Sequence, residues 1–223
     1  LLTNENAKAI FSNLKFIVID EIHSFMNSKR GHLLTLNLSR LQTFSSPKLI
    51  ALSATITLES EVKNYISSTR PTVFVRSKMS KTPKIEILKT KGRIPWSGHS
   101  PRYALTEIYQ EIINHSSSIL FVNTRAQAEI LFESLWSLNE KKITIAIHHG
   151  SLEKTLRQKV EDEIVAGSVS CVVATSSLDL GLDWGNIDLV MQIGAPKGVS
   201  RLTQRIGRAN HNLEKPSKAI LVP

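Results

Sequence analysis

The sequence predicts an α/β protein with two parallel-sheet domains, and three observations lead to this prediction. Short runs rich in Val, Ile and Leu alternate with segments of helical apolar spacing along most of the 223 residues. The run from Phe16 to Ile19 has no polar side chain on either face, which is typical of a strand buried on both sides of a parallel sheet. The alternation occurs twice, before and after a basic stretch that contains proline, so we expect two copies of one architecture.

Composition limits the class of protein and the class of partner. Lys and Arg number 28 against 19 Asp and Glu, giving a net charge of +9 that favours a polyanionic partner, nucleic acid first. Cys171 is the one cysteine, which excludes an intrachain disulfide and a multi-cysteine zinc site. No apolar run approaches the roughly 20 residues of a membrane span, and the sequence begins with neither a signal nor a transit peptide. We therefore expect a globular, cytoplasmic protein without a membrane partner.

The first predicted domain covers residues 1–78, and its central strand ends in Asp20 and Glu21. Ligands bind at the carboxyl ends of strands in open α/β sheets, so both carboxylates are expected to face a ligand crevice. A strand-end Asp can hold the Mg²⁺ that bridges nucleotide phosphates, and a neighbouring carboxylate can take a proton from water. The alternative is that both acids cap the next helix. A helix after Gly31, a strand over 48–52, a helix over 59–67 and a strand over 72–75 complete this domain.

Residues 79–101 are predicted to be a basic linker between the domains. The stretch from Arg76 to Arg93 carries seven basic side chains and one acidic side chain; Pro83 and Gly92 lie within it and Pro95 follows it. A short strand is predicted inside it, over 85–88. A solvated connector and a track for nucleic acid explain the charge equally well.

The second predicted domain covers residues 102–223. Helices are predicted after Pro101, after the capping-box sequence that starts at Thr124, and before Gly167, with strands over 118–122, 143–147, 171–174, 189–193 and 219–222. His148 and His149 end one strand. Neighbouring side chains there point in opposite directions and no Cys or carboxylate lies at ligand spacing, so we expect backbone or nucleic-acid contact and not a metal site.

Short polar motifs follow the predicted strands. They are Val18-Ile19-Asp20-Glu21-Ile22-His23, Ser53-Ala54-Thr55, Phe121-Val122-Asn123-Thr124-Arg125, Ala174-Thr175-Ser176-Ser177-Leu178-Asp179-Leu180-Gly181-Leu182-Asp183 and Gln204-Arg205-Ile206-Gly207-Arg208-Ala209-Asn210-His211. In this order they resemble the DExH-box helicases of superfamily two. Ser28-Lys29-Arg30-Gly31, His148-His149-Gly150-Ser151 and the Asn210-His211 ending resemble the large helicase-related (Lhr) branch, and within it the ligase-associated bacterial helicases.

The resemblance implies two RecA-like domains, with ATP and Mg²⁺ bound in the cleft between them and single-stranded nucleic acid across one face. It implies that Asp20 binds Mg²⁺, that Glu21 activates the attacking water, and that Gly181 and Asp183 face the nucleotide. Coupling between the nucleotide and nucleic-acid sites would fall to His23, Ser53, Thr55 and Gln204. Nucleic-acid contacts would fall to Asn123, Thr124, Arg125, His149, Gly150 and Thr175.

Arg208 is the predicted arginine finger and a nucleotide contact. Charge on the γ-phosphoryl oxygens in the transition state calls for a permanent, forked cation. Arg205 is a second candidate, and the alternative is two solvated arginines on one helix face. Where many relatives carry a further Arg, this chain has His211, which leaves phosphate contact at that position open.

One motif of such helicases does not occur in this sequence. They hold the phosphates with a loop of the form G-x-x-x-x-G-K-[ST]. No two of the ten glycines are five residues apart; their positions are 31, 92, 98, 150, 167, 181, 185, 194, 198 and 207. In relatives the loop precedes the acidic box, so we expect a fragment that lacks the N-terminal half of the first domain and does not hydrolyse ATP alone.

The predicted function is that of a fragment of an ATP-dependent helicase, with a role in DNA repair. DNA is favoured over RNA by the branch resemblance alone, and an RNA helicase stays open. A second alternative is a non-catalytic truncated remnant with residual nucleic-acid binding. Binding carried by the basic residues would weaken steeply as salt rises, because it releases counterions.

Overall fold

The computed structural model of the chain describes residues 2–26, 28–53, 59–67, 71–76, 83–93, 101–179, 187–209 and 218–223. It consists of two compact units, Leu1–Arg76 (unit 1) and Ser77–Pro223 (unit 2). Within these described ranges, no helix combines the length and the apolar composition that crossing a membrane requires.

In its described residues, unit 1 contains a two-stranded parallel sheet and three α-helices. Strand β1 (Phe16–Ile19) pairs with β2 (Lys48–Ala51), with Ile19 opposite Ala51. The helices are α1 (Ala7–Phe11), α2 (Lys29–Phe44) and α3 (Glu59–Ile66), and a short 3₁₀ helix spans Ile22–Ser24. The core of the unit is formed by Ile19, Ile22, Leu38 and Val62.

Two predictions for unit 1 are wrong. Strand β1 is not buried on both faces, since Phe16 and Val18 are 57% and 59% exposed whereas Ile19 is buried. Successive side chains of a strand point to opposite faces, and in the described part of the unit one face is uncovered. The predicted strand over 72–75 does not form, and Val73 and Val75 are both largely exposed there.

The described part of unit 2 contains a six-stranded, all-parallel sheet with the order β3-β8-β7-β4-β6-β5. Its strands are β3 (Lys84–Ile87), β4 (Ser118–Phe121), β5 (Ile145–His148), β6 (Cys171–Ala174), β7 (Leu189–Ile193) and β8 (Lys218–Val222). Its helices are α4 (Leu105–Ile113), α5 (Arg125–Ser137), α6 (Lys154–Val165) and α7 (Val199–Ile206), with 3₁₀ helices at Pro101–Ala104 and Ser176–Leu178. The parallel pairing in both units confirms the predicted α/β class.

Helices cover both faces of the sheet in unit 2. One core cluster joins Ile108 and Ile112 of α4 and Leu131 and Leu135 of α5 to the strands. A second cluster, formed by the alternate side chains on the opposite face of the sheet, includes Ile164 of α6. Every residue of β4, β6 and β7 is buried, as expected for central strands between two helical layers.

The predicted linker is in part a strand of the second sheet. Strand β3 pairs in parallel with β8 from Lys84 opposite Lys218 to Ile87 opposite Leu221. Pairing satisfies backbone groups that the edge of β8 would otherwise leave open. Residues 83–93 therefore belong to unit 2, and the boundary between the two units in the chain follows Arg76. The domain bounds at 78 and 102 stay a prediction.

Candidate functional site

Three loops with predicted nucleic-acid residues lie side by side in unit 2. Strands β4, β6 and β5 are parallel neighbours, with Phe121 opposite Ala174 and Ala174 opposite His148. The residues that follow these strands therefore meet at one carboxyl edge of the sheet. The structure thus brings together Asn123, Thr124, Arg125, His149, Gly150 and Thr175, whose contact with nucleic acid stays a prediction.

Asn123 and Thr124 fix the start of α5. Thr124 Oγ1 accepts a hydrogen bond from Gln127 N at 3.2 Å, and Gln127 Oε1 accepts one from Thr124 N at 3.1 Å, which confirms the predicted capping box. Asn123 Nδ2 donates to Ala195 O at 2.8 Å. The Arg125 side chain is 60% exposed, and its Nε lies 3.1 Å from Glu129 Oε1. Of these three residues, Arg125 is the one that presents an exposed cation at this edge.

His148 and His149 have different partners, as their neighbouring positions predicted. In the buried His148, Nδ1 lies 2.7 Å from Ser177 Oγ and Nε2 lies 3.0 Å from Glu161 Oε1. His149 is also buried, with Nε2 3.6 Å from Glu129 Oε1. The sequence did not reveal these carboxylates, because only the fold brings α5 and α6 beside the end of β5. In the described part of the chain, no group of three or more His, Cys, Asp or Glu could hold a metal ion.

Burial lowers the pKa of His148 below its ordinary value of 6.5, and the nearby carboxylate of Glu161 opposes this shift only in part. A neutral ring satisfies both partners when Nε2–H donates to Glu161 and Nδ1 accepts from the hydroxyl of Ser177, a hydroxyl that also lies 3.1 Å from the backbone oxygen of His148. His148 is therefore a neutral, structural histidine at the base of the predicted nucleic-acid edge.

We expect the unfolding free energy of unit 2 to decrease as the pH drops below about 6.5. Between the lowered pKa of folded His148 and 6.5, the unfolded chain binds a proton that the folded chain does not, so stability is lost at up to about 1.4 kcal/mol per pH unit. Urea denaturation at a series of pH values measures the slope. His148→Gln should flatten it and His32→Gln, at an exposed histidine, should not; an unchanged slope in His148→Gln would contradict this prediction.

Helix α7 carries the predicted finger residues. Arg205 is 1% exposed: its Nε donates to Asp179 Oδ1 at 2.8 Å, and its Nη1 donates to Gln192 Oε1 at 2.6 Å. Its guanidinium also lies 4.6 Å from the centre of the Phe121 ring. The alternative of a solvated arginine is therefore wrong for Arg205, since the fold places this side chain over the sheet with a buried carboxylate as its partner.

Arg208 follows α7 and is half-buried. Its Nη2 donates to the backbone oxygen of Asp179 at 2.8 Å. Because Arg205 is buried and paired within unit 2, this geometry favours Arg208 as the finger. The predicted residues Thr55, Gly181, Asp183 and His211 lie outside the described residues.

Sequence reasoning missed Asp179 as a residue of this site. Its carboxylate is 6% exposed and contacts two arginines of α7, Arg201 at 3.3 Å and Arg205 at 2.8 Å. An acid flanked by Leu178 and Leu180 was a usable signal, because a buried carboxylate needs a cationic partner.

Unit 1 holds the two predicted catalytic acids directly after β1. Glu21 has a backbone φ of +50°, in the left-handed region that residues with a Cβ rarely adopt. Its backbone N donates to Asp20 Oδ1 at 2.9 Å. Glu21 precedes the 3₁₀ helix Ile22–Ser24 but its side chain makes no capping hydrogen bond, so helix capping does not explain Glu21.

His23 lies between an acid and the end of the next strand. Its Nδ1 is 3.2 Å from Glu21 Oε2 and 2.8 Å from Ser53 Oγ, and Ile22 N donates to Leu52 O at 3.0 Å. The loops after β1 and β2 are therefore joined by both side-chain and backbone contacts. This is the arrangement on which the predicted coupling between His23 and Ser53 depends.

Two family models match the chain. The model described as DEAD/DEAH box helicase matches residues 1–64, and the model described as helicase conserved C-terminal domain matches residues 102–212. The chain belongs to the DEAD/DEAH box helicases. The first match falls in unit 1 of this helicase chain and the second in unit 2.

Similar proteins place the helicase chain in the Lhr branch, as its motifs predicted. It is 35% identical over 219 residues to the ATP-dependent helicase Lhr-Core protein 2 of Thermococcus barophilus, covering 94% of this chain and 25% of the relative. It is 33% identical over 225 residues to the Lhr-Core helicase of Methanocaldococcus jannaschii, covering 100% of this chain and 26% of the relative. The helicase chain therefore spans about a quarter of the length of these curated relatives.

A solved structure supports the same placement. Mycobacterium smegmatis helicase Lhr bound to ssDNA and AMP-PNP superposes with a TM-score of 0.84 at 33% identity, covering 100% of this chain and 30% of that one. The narrower assignment to the ligase-associated helicases stays a prediction.

The position and exposure of Asp20 are suited to binding Mg²⁺. It is exposed, and one carboxylate oxygen accepts from Glu21 N while the other makes no hydrogen bond to the described residues. Mg²⁺ in nucleotide sites takes one or two protein carboxylates, with phosphate and water oxygens completing its shell. A single exposed carboxylate at a strand end therefore suits the ion.

Proposed function

We propose that this chain supplies part of the ATP-hydrolysing site of an Lhr-type, ATP-dependent helicase and part of its contact with single-stranded DNA. The observation that carries the proposal is the contact of Glu21 with His23, which in turn contacts Ser53. Glu21 would take the proton from the attacking water. Asp20 would hold Mg²⁺, which neutralises charge on the nucleotide phosphates when bound.

His23 would couple hydrolysis to the rest of unit 1. One ring nitrogen lies within reach of both the Glu21 carboxylate and the Ser53 hydroxyl, so both compete for it. A change in the charge around Glu21 would therefore alter the hydrogen bond to the loop after β2. Gln204 and Thr55 are proposed to take part in the same coupling because of their positions in the family motifs.

Single-stranded nucleic acid would lie along the carboxyl edge of β4, β6 and β5. Arg125 supplies an exposed positive charge there. A Cβ added at Gly150 meets no atom within 4 Å, so a nucleic-acid backbone has room to approach this loop. DNA is proposed before RNA because the Mycobacterium smegmatis Lhr, 33% identical to this chain, was solved with ssDNA. A cytoplasmic location and a role in DNA repair stay predictions.

The test uses the longer protein that contains this chain. We expect ATP hydrolysis that single-stranded DNA stimulates more than RNA of the same sequence. Glu21→Gln should lower the stimulated turnover by about 10²-fold or more, because the base is lost, with little change in nucleotide binding. Glu61→Gln, at an exposed acid of α3, is the matched control.

Three results would count against the proposal. Turnover that neither DNA nor RNA stimulates would exclude a translocating helicase. Full turnover in Glu21→Gln would remove this residue from the catalytic set. Stronger stimulation by RNA would identify the RNA helicase that the sequence left open.

A further inference from the structure

Three arginines at the end of unit 2 converge on Asp179. Arg205 donates from Nε to Oδ1 at 2.8 Å and Arg201 Nε lies 3.3 Å from Oδ2. Arg208 donates from Nη2 to the backbone oxygen of Asp179 at 2.8 Å. Asp179 is 4% exposed, so the contacts of its carboxylate are shielded from water. One acidic residue thus holds both α7 and the arginine that follows it.

Arg205 makes this attachment rigid. Its guanidinium is held on three sides, by the carboxylate of Asp179, by Gln192 Oε1 at 2.6 Å and by the ring of Phe121. Gln192 is itself fixed, because its Nε2 donates to the backbone oxygens of Ile193 and Gly194 at 3.1 Å each. The position of α7 is therefore set by buried polar contacts to β4, β7 and Asp179, beyond its apolar packing.

Asp179 also marks the start of a functional segment. Gly181 and Asp183, the residues predicted to face the nucleotide, follow it in the sequence. Its backbone oxygen receives Arg208, the predicted finger. A shift of Asp179 would therefore move the backbone oxygen that accepts from Arg208 Nη2, and the loss of its carboxylate would release Arg205 and Arg201 together.

We propose that Asp179 is a positioning residue for the arginine finger: its buried carboxylate locks α7 through Arg205 so that Arg208 is presented in one orientation. The expected effect on the rate rests on the proposed ATP hydrolysis, whereas the expected effect on the position of α7 does not. Asp179 itself touches no reacting atom. Its effect should therefore appear in the rate of the chemical step and not in the binding of ATP.

The test replaces Asp179 in the longer protein with Asn, which keeps the shape and removes the charge, and with Glu, which keeps the charge. In Asp179→Asn we expect kcat for DNA-stimulated ATP hydrolysis to fall by about 30-fold, with KM for ATP within about twofold. Asp179→Glu should recover part of the lost rate. Asp188→Asn is the matched control. Asp188 lies just before β7, and its Oδ2 accepts a hydrogen bond from Ser116 N; this variant should keep the rate of the unmodified protein.

A second variant separates positioning from folding. Asp179→Asn leaves the buried Arg205 without its anion, whereas Asp179→Asn combined with Arg205→Gln removes both charges. The double variant should regain thermal stability without regaining kcat. A double variant that recovers both would show that the pair only stabilises the fold, and would overturn the inference.

Hydrogen exchange gives a readout that needs no ATPase activity. In Asp179→Asn, the amides of residues 202–209 should exchange at least about tenfold faster, and those of α4 should not change. If the unmodified protein hydrolyses no ATP, the proposed function fails while this measurement still decides the role of Asp179. Unchanged exchange in residues 202–209, with or without activity, would overturn the positioning role.

Discussion

Arg208→Lys is expected to lower the nucleic-acid-stimulated ATP turnover of the longer protein by about 10³-fold, with nearly unchanged binding of ATP in the ground state. Lys keeps the positive charge but loses the planar fork, which matches two oxygens of the γ-phosphoryl group at once. A factor of about 10³ corresponds to roughly 4 kcal/mol of barrier, whereas an exposed arginine on a helix contributes a few tenths. The size of the fall therefore distinguishes a finger from a surface residue.

Steady-state turnover and nucleotide binding, measured on the same preparations, check this prediction. Arg102→Lys is the matched control. It replaces the same residue type far from α7 in the sequence, at an exposed position of the 3₁₀ helix before α4. DNA affinity without nucleotide should stay that of the unmodified protein. If Arg208→Lys keeps most of its stimulated rate, Arg208 leaves the catalytic set, and the buried Arg205 becomes the residue to examine.

Gly31→Ala is expected to destabilise unit 1 by about 3 kcal/mol, the upper end of the usual cost of overpacking. A Cβ built at Gly31 would lie 1.9 Å from Phe25 O and 2.9 Å from the Tyr65 hydroxyl. The Phe25 carbonyl has little room to move, because Ser28 Oγ donates to it at 2.7 Å while accepting from Gly31 N at 3.0 Å. Tyr65 is held as well, since its hydroxyl donates to Gly31 O at 2.8 Å.

The sign of this effect is informative, because Ala in a helix is ordinarily more stable than Gly by about 1 kcal/mol. Hydrogen exchange of α2 and α3 against that of α4 measures the loss of stability in unit 1 alone. Gly150→Ala is the control, since a Cβ there meets no atom within 4 Å. Unchanged or slower exchange in α2 of Gly31→Ala would show that the contact with Phe25 relaxes without cost.

The class of fold and the family follow from the order of residues alone. Apolar runs of strand length, each followed by polar residues, are local features, so the strands β2, β4, β6, β7 and β8 were predicted within a residue or two. The motif order around Asp20, Thr124 and Arg208 likewise depends only on residue types and spacing. It was enough to predict a DExH-box helicase of the Lhr branch, which the family models and the relatives confirm.

The burial of the polar residues and the partners they contact depend on the folded arrangement of the strands and helices. Arg205 and Arg208 look alike in the sequence, yet one is locked against Asp179 and Gln192 and the other is half-buried beside a backbone oxygen. Glu161 beside His148 and β3 beside β8 are likewise contacts between segments distant in the chain. Such pairs leave no periodic signal, because they depend on how strands are ordered in the sheet, and that order set the environment of each charge in this helicase.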